Sequence, residues 1–290
     1  MAMAEETAIA PYAAGGALAE VEIGPYSFKG ELARIVRGVI VEVTNVEQAK
    51  IAEDAGACCV LLSEPIHEGI TRMPDPLLFK EIRGVVSIPV IVKVRVGHFV
   101  EAQILDSVGV KHIDESDAAS VADEENFINK QNFPETYFVC GCRSLGEALR
   151  RVKEGATMVK TQGGVAASAL GDIVETTRNV RSVMGEIRQL HNMDDDEVFA
   201  FAEKIAAPYD LVKETRQICR LPAIHYAAGG ISTPADAGLM MQLGCDGIFI
   251  GLEIFDCANP RDRLRRMVLA VKNYNDPNIL AEASFGFGAA

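Results

Sequence analysis

The chain has 290 residues, of which 49% are hydrophobic and 24% are charged, so it can bury a large core and has the usual size of one (β/α) barrel domain. Its formal net charge of −13 provides no basic surface to attract phosphates, which argues against nucleic acid as a partner. The seven cysteines lack the spacing of a zinc site, so we expect reduced, buried thiols and no metal. The sequence has no apolar run of about 20 residues and no signal-peptide pattern, so we expect a cytoplasmic protein with no membrane partner.

Three segments are predicted along the chain: an N-terminal arm over residues 1–30, a main domain over 31–280 and a C-terminal tail over 281–290. In the main domain, short apolar runs alternate with amphipathic stretches, as in a parallel sheet with crossover helices. The runs are rich in Val and Ile, as expected for strands buried on both faces. The predicted strands are Val39–Val43, Ala57–Leu62, Pro89–Arg95, Lys111–Glu115, Tyr137–Gly141, Thr157–Gln162, Ala223–Ala228 and Gly247–Gly251.

Eight such strands predict a single closed (β/α)8 barrel, or TIM barrel, of the α/β class. The rival is an open doubly wound sheet, but no GxGxxG motif follows the first strand and the strand–helix spacing stays regular. Asn45 is placed to cap a helix that Gly56 ends, and Thr233 precedes a helix that begins with Pro234. Residues 172–220 are long enough to hold extra helices between the sixth and seventh strands.

Candidate functional residues lie where the strands stop, because barrels of this type react at the C-terminal ends of their strands. Lys93 interrupts an apolar strand, where an ammonium is costly to desolvate. A buried lysine tends to lose its proton and can form a Schiff base with a sugar aldehyde. An ion pair with Glu42 or Asp114 is an equally good interpretation. Gly230 and Gly251 follow the last two strands, where barrels often bind phosphate through backbone N–H groups, although turn geometry alone also explains glycine there.

Five long segments also carry a family resemblance. Across roughly residues 30 to 285, the chain resembles the ribose-phosphate-processing synthase subunit of pyridoxal 5′-phosphate synthase. The resemblance independently implies the barrel fold. The segments, in the order of the family, are PVIVKVRVGHFVEAQIL, IDESD followed by ADEENFINKQNF, FVCGCRSLGEALRRVKEGATMVKT, AAGGISTPADAGLMMQLGCDGIFIG and NYNDPNILAEAS.

The resemblance implies a two-lysine chemistry. Active members make pyridoxal 5′-phosphate from a pentose phosphate, glyceraldehyde 3-phosphate and ammonia, with a glutaminase subunit as the ammonia source, and assemble as two stacked hexameric rings. Lys93 corresponds to the lysine that forms the first Schiff base. The second lysine belongs to an R-T-K-G-E motif, which here reads Lys160-Thr161-Gln162-Gly163-Gly164. Gln162 therefore stands in place of the second carrier, and an amide nitrogen cannot form an imine.

Further departures fall on the binding residues that the resemblance implies. Glu42 replaces a sugar-orienting aspartate, and the phosphate loop over 163–172 is longer by three residues, with only Gly171 clearly in its place. After the last strand, Leu252 and Glu253 replace a phosphate-binding hydroxyl and its neighbouring glycine. The positions matching Arg181 and Gly230 are retained. Arg181 corresponds to an arginine that binds the phosphate of the three-carbon substrate, but it is also explained as a surface helix residue.

These departures leave three functional hypotheses. The first is a non-catalytic subunit, like those of plants, that joins active paralogues in mixed rings, with weak or no sugar-phosphate binding and no cofactor. The second is an active synthase subunit in which Lys160 is a displaced carrier, since Lys160 and Gln162 share a strand face although the amine starts about 6 to 7 Å lower. The third is an enzyme that stalls after Lys93 captures a pentose phosphate.

Overall fold

Eight parallel strands close into a barrel in the computed structural model, which describes residues 20–23, 26–29, 38–65, 71–116, 126–163 and 172–287. This confirms the predicted (β/α)8 fold. Two strands near the N-terminus, β1 (Glu20–Ile23) and β2 (Tyr26–Lys29), form a separate antiparallel pair. The barrel strands are β3 (Val39–Val43), β4 (Cys59–Leu62), β5 (Val90–Lys93), β6 (His112–Glu115), β7 (Tyr137–Cys142), β8 (Met158–Gln162), β9 (Ile224–Ala228) and β10 (Gly247–Ile250), with β10 paired to both β9 and β3.

Helices connect the strands and surround the barrel. The predicted caps are present: the Asn45 side chain accepts a hydrogen bond from Gln48 N (2.9 Å), and Gly56 ends that helix with φ of 94°. Thr233 forms a capping box with Asp236. The helices are α1 (Val46–Ala55), α2 (Pro76–Val85), α3 (Phe99–Ser107), α4 (Leu145–Lys153), α5 (Ile173–His191), α6 (Asp195–Lys204), α7 (Tyr209–Ile218), α8 (Pro234–Leu243), α9 (Pro260–Lys272) and α10 (Pro277–Ser284).

Three of these helices, α5 to α7, lie between β8 and β9, where the extra helices were expected. Helix α10 crosses position 281, the predicted start of the tail. In the part of the chain that the structure describes, no helix is long and apolar enough to cross a membrane. Nor do any three His, Cys, Asp or Glu residues of that part lie together as a set of metal ligands.

Alternation along the strands divides the core into two parts. Outward-facing strand residues pack against the helices. Inward-facing residues fill the barrel, where the Tyr226 and Phe249 rings meet edge to face with centroids 5.3 Å apart. Following the same period of two toward the C-terminal strand ends, the interior changes from apolar to polar. The strands therefore aim their last inward side chains at one opening, which we call the barrel mouth.

Burial tests the prediction about the cysteines, and contacts show the roles of two histidines. Cys140 and Cys142 are buried, as expected, but Cys219 is exposed and two other cysteines are half-buried, so the expectation of uniformly buried thiols was wrong. The helix end at Cys219 and the turns around the others reach the surface. His98 caps α3 by accepting a hydrogen bond from Glu101 N (3.2 Å), and His112 stacks on Tyr137. Both histidines thus have structural roles.

Candidate active site at the barrel mouth

Lys93 and Glu42 lie together at the mouth, on strands separated by β4. The distance between Lys93 Nζ and Glu42 Oε1 is 3.8 Å, and the two side chains are 14% and 24% exposed. That separation is longer than a hydrogen bond, so the attraction is electrostatic and leaves the amine partly exposed at the opening. The ion pair anticipated from the sequence therefore forms with Glu42, while Asp114 has a different partner.

Asp114 is paired with Lys160 inside the barrel. Lys160 Nζ donates to Asp114 Oδ2 at 2.9 Å, and both side chains are almost fully buried. The ammonium also lies 4.6 Å from the centre of the Phe249 ring, a cation–π contact. Ser116 donates a further hydrogen bond to the Asp114 carboxylate. These contacts hold the Lys160 amine against the Asp114 carboxylate inside the barrel.

Gln162 lies one inward position above Lys160 on β8, on the same strand face as the sequence predicts. Its side chain crosses above Gly141: the amide nitrogen is only 2.6 Å from the point that a Cβ at residue 141 would occupy. The backbone carbonyl of Gln162 accepts a hydrogen bond from Asn179 (2.9 Å), which ties the strand end to α5. The position that the resemblance gives to the second lysine thus carries an amide at the mouth.

Glu253 covers the end of β10. Gly251 precedes a 3-10 turn over Leu252–Asp256, and the Glu253 carboxylate folds back over Gly251 into the space that a Cβ there would need. Burial raises the pKa of the Glu253 carboxyl, and the charge of Glu42 adds to the rise, while hydrogen bonds from backbone N–H groups oppose it. The chain therefore places its own carboxylate where the sequence indicated a phosphate contact, with Leu252 half-buried beside it.

Two of the remaining predicted residues lie near the start of α5. Arg181 is exposed on that helix and borders a cavity with Ile173, Val174 and Arg178. Gly230 has φ of 71°, and a Cβ there would be 2.5 Å from the backbone nitrogen of Ile173, so close packing requires glycine. A phosphate role for either residue stays a prediction. Gly171 lies outside the described residues.

Thr176 is a site residue that the sequence reasoning missed. Its hydroxyl accepts a hydrogen bond from Gly163 N (2.9 Å) and donates to Ala228 O (2.9 Å), so it joins the ends of β8 and β9 to the first turn of α5. A small polar residue in the first turn of a helix that follows a glycine-containing loop is the signal that could have indicated it.

Glu115 is a second missed residue. At the end of β6 its buried carboxylate accepts hydrogen bonds from Gly97 N (3.0 Å) and Ile128 N (2.7 Å) and from the Lys130 ammonium (2.8 Å). It thereby holds two loops beside the mouth. The signal was a second acidic residue directly after Asp114 at the end of a predicted barrel strand.

The chain is therefore a (β/α)8-barrel protein, with Lys93 and Lys160 on inward-facing strand positions. The fold is shared with thiamine phosphate pyrophosphorylase from Pyrococcus furiosus, with a TM-score of 0.51 and 16% identity over 84% of this chain and 99% of that one. Residues 26–228 match the model of the SOR/SNZ family, and the chain belongs to that family.

Plant proteins are among its similar relatives. The chain is 58% identical to pyridoxal 5′-phosphate synthase-like subunit PDX1.2 of Arabidopsis thaliana, over 90% of this chain and 83% of the relative. It is 54% identical to pyridoxal 5′-phosphate synthase subunit PDX1 of Phaseolus vulgaris, over 97% and 91%, and 53% identical to subunit PDX1.3 of Arabidopsis thaliana, over 99% and 94%. The resemblance seen in the sequence is thereby confirmed.

Proposed function

We propose that this chain is a non-catalytic subunit of a pyridoxal 5′-phosphate synthase complex, which joins active paralogous subunits in a mixed double ring and supports their assembly. The observation that carries this proposal is the arrangement of the lysines. Lys93 on β5 reaches the mouth, but the inward side chain at the end of β8 is Gln162. Lys160, two residues earlier on β8, is paired with Asp114 inside the barrel. Among the residues that the structure describes, no second amine lies at the mouth to take over an imine from Lys93.

Electrostatics at the other strand ends support the same proposal. The Glu253 carboxylate occupies the space over Gly251. At an effective dielectric constant near 20, a carboxylate about 5 Å from a phosphate charge opposes its binding by about 3 kcal/mol per charge. Glu42 adds a second carboxylate at the same opening. These groups favour weak or no sugar-phosphate binding.

An assembly role is supported by the surface of α3. Phe99, Val100 and Ile104 are 57%, 43% and 37% exposed on this one helix, although its other face is buried against the barrel. A cluster of exposed apolar side chains on a short helix is typical of a protein interface. Three PDX1 proteins of Arabidopsis thaliana are similar to this chain, so paralogues that share a ring are a reasonable class of partner. The glutaminase subunit implied by the resemblance is a further proposed partner.

The direct test is turnover. Purified protein supplied with ribose 5-phosphate, glyceraldehyde 3-phosphate and ammonium is expected to give no absorbance of the product aldehyde, whereas a PDX1 relative assayed in parallel gives it. Appreciable turnover by this chain would overturn the proposal. The matched variant is Gln162→Lys combined with Lys160→Arg, which recreates the R-T-K order and tests whether the missing amine is the main defect.

The alternative is an active synthase subunit in which Lys160 is the second carrier. Its support is that Lys160 lies on the same strand face as Gln162, the position that the resemblance gives to the second carrier. The buried ion pair with Asp114 counts against it, because the carrier amine must be deprotonated and free to move. If this alternative holds, the purified chain turns over and Lys160→Ala abolishes that turnover.

A further inference from the structure

A thiol and an imidazole lie together away from the barrel mouth. Cys219 caps the C-terminal end of α7, and His191 is the last residue of α5. Cys219 Sγ and His191 Nδ1 are 3.2 Å apart, within hydrogen-bonding distance for sulfur, and both residues are exposed. A nucleophile and a base are thus paired at the surface.

The other cysteines have different surroundings. Burial raises the pKa of the Cys58 and Cys142 thiols to about 12 and raises those of Cys140 and Cys245 as well, so these four stay protonated. Cys59 is buried too. Cys257 is half-buried, and its thiol lies 3.3 Å from the Ile254 carbonyl, much as the Cys219 thiol lies 3.5 Å from the Arg216 carbonyl. Among the seven cysteines, Cys219 is the one that is exposed, and its thiol lies beside an imidazole.

The backbone at Cys219 supports a role for the side chain. Its φ is 54°, in the left-handed region where glycine is the usual residue at the end of a helix. A cysteine there costs backbone energy that glycine would avoid.

We propose that Cys219 and His191 form a thiol–disulfide exchange site for small disulfides such as oxidised glutathione. His191 Nδ1 accepts the thiol proton while Cys219 Sγ attacks one sulfur of the disulfide. The S–S bond breaks, the departing thiolate takes up that proton, and a mixed disulfide remains on Cys219. The cysteine is oxidised and the disulfide is reduced, so the step balances. This site is separate from the mouth and does not depend on the proposed function.

The test is site-resolved modification of the native chain. Oxidised glutathione is added, and intact mass spectrometry with peptide mapping follows which cysteine is modified first; an aromatic disulfide reagent gives the rate. We expect Cys219 to react first and Cys219→Ser to remove the fast phase. His191→Gln should slow that phase roughly tenfold, less than the roughly 10²- to 10⁴-fold effect typical of a positioned general base, because the pair is exposed.

Two controls separate the pair from general reactivity. Cys257→Ser should leave the fast phase unchanged, and in guanidinium the parent and His191→Gln should react at equal rates, because the folded geometry is lost. If Cys257 reacts as fast as Cys219 in the native chain, or if His191→Gln leaves the native rate unaltered, the proposal is wrong.

Discussion

Lys160 is the residue whose position most limits the chemistry of the site. It stands two residues before Gln162, yet it points into a closed interior and meets Asp114, which is 46 residues away in the sequence. The partner depends on how the barrel closes and on the register of β6, β7 and β8. A lysine on an inward strand face could be read from the sequence; which carboxylate it meets could not.

Removing Lys160 should destabilise the fold. In Lys160→Met the Asp114 carboxylate would stay buried without its cation, which costs about 3 to 5 kcal/mol of the free energy of unfolding. Urea denaturation measures this. Lys153→Met is the matched control, because Lys153 and Asp210 form an exposed pair, and it should cost less than about 1 kcal/mol. Adding Asp114→Asn to Lys160→Met should recover most of the loss. A small effect of Lys160→Met would mean that the ion pair is not held in solution.

Lys93 should fail to capture a sugar phosphate in the parent chain. After incubation with ribose 5-phosphate and borohydride, intact mass spectrometry should detect no adduct, because Glu253 opposes the phosphate. Leu252→Ser combined with Glu253→Gly restores a hydroxyl and removes the carboxylate, so an adduct is expected in that variant. Adding Lys93→Met should abolish it. An adduct on Lys93 of the parent would instead support an enzyme stalled after its first step.

At the scale of elements, the strands and helix caps could be predicted because they depend on residues that are close together in the sequence. Continuous apolar runs located all eight barrel strands to within two residues at either end, and Asn45 and Thr233 marked two helix starts. The fold-back of Glu253 onto Gly251 did not follow, since it depends on the local path of a 3-10 turn. The exposed face of α3 could not be predicted either, because the helix carries apolar residues on both faces and the sequence does not show which of them are buried.

The exposed face of α3 should be needed for assembly and not for folding. Phe99→Asp combined with Ile104→Asp places charge on this face and is expected to reduce the oligomer to smaller species, because desolvating a carboxylate at an interface is costly. Size-exclusion chromatography measures the species, and circular dichroism checks the fold. Gln217→Glu adds charge at an exposed polar position of a different helix, α7, and is the control. Intact oligomers in the double variant would exclude α3 as an interface.

A histidine links three neighbouring strands and should make stability depend on pH. His225 on β9 contacts Thr161 on β8 through its ring (2.8 Å), and its backbone N–H donates to Asp246 beside β10 (2.8 Å). Burial lowers its pKa from 6.5 to about 4. The unfolded chain therefore binds a proton in this window that the folded chain does not, so stability is lost as the pH falls from 6.5 toward 4.

The expected loss is about 3 kcal/mol of the free energy of unfolding. Urea denaturation at several pH values, compared between the parent and His225→Gln, isolates this contribution, because the carboxyl groups that titrate in the same range cancel in the difference. The variant should have the flatter profile. Parallel profiles would show that His225 is not kept neutral in the fold.

At the scale of the whole molecule, the barrel combines a scaffold with a site at its mouth, and the two differ in how far they keep the family's features. Its interior and caps build the scaffold that the SOR/SNZ family shares. Its mouth keeps Lys93, which is paired with Glu42, but carries Gln162 in place of a second lysine and the folded-back Glu253 over Gly251. The intact scaffold with an altered mouth is what we expect of a subunit selected for assembly.

Native mass spectrometry of the chain, expressed alone and together with an active PDX1 relative, tests this account most directly. The account predicts mixed rings that contain both chains when they are made together. Strictly separate species, with the relative forming its rings without this chain, would contradict it.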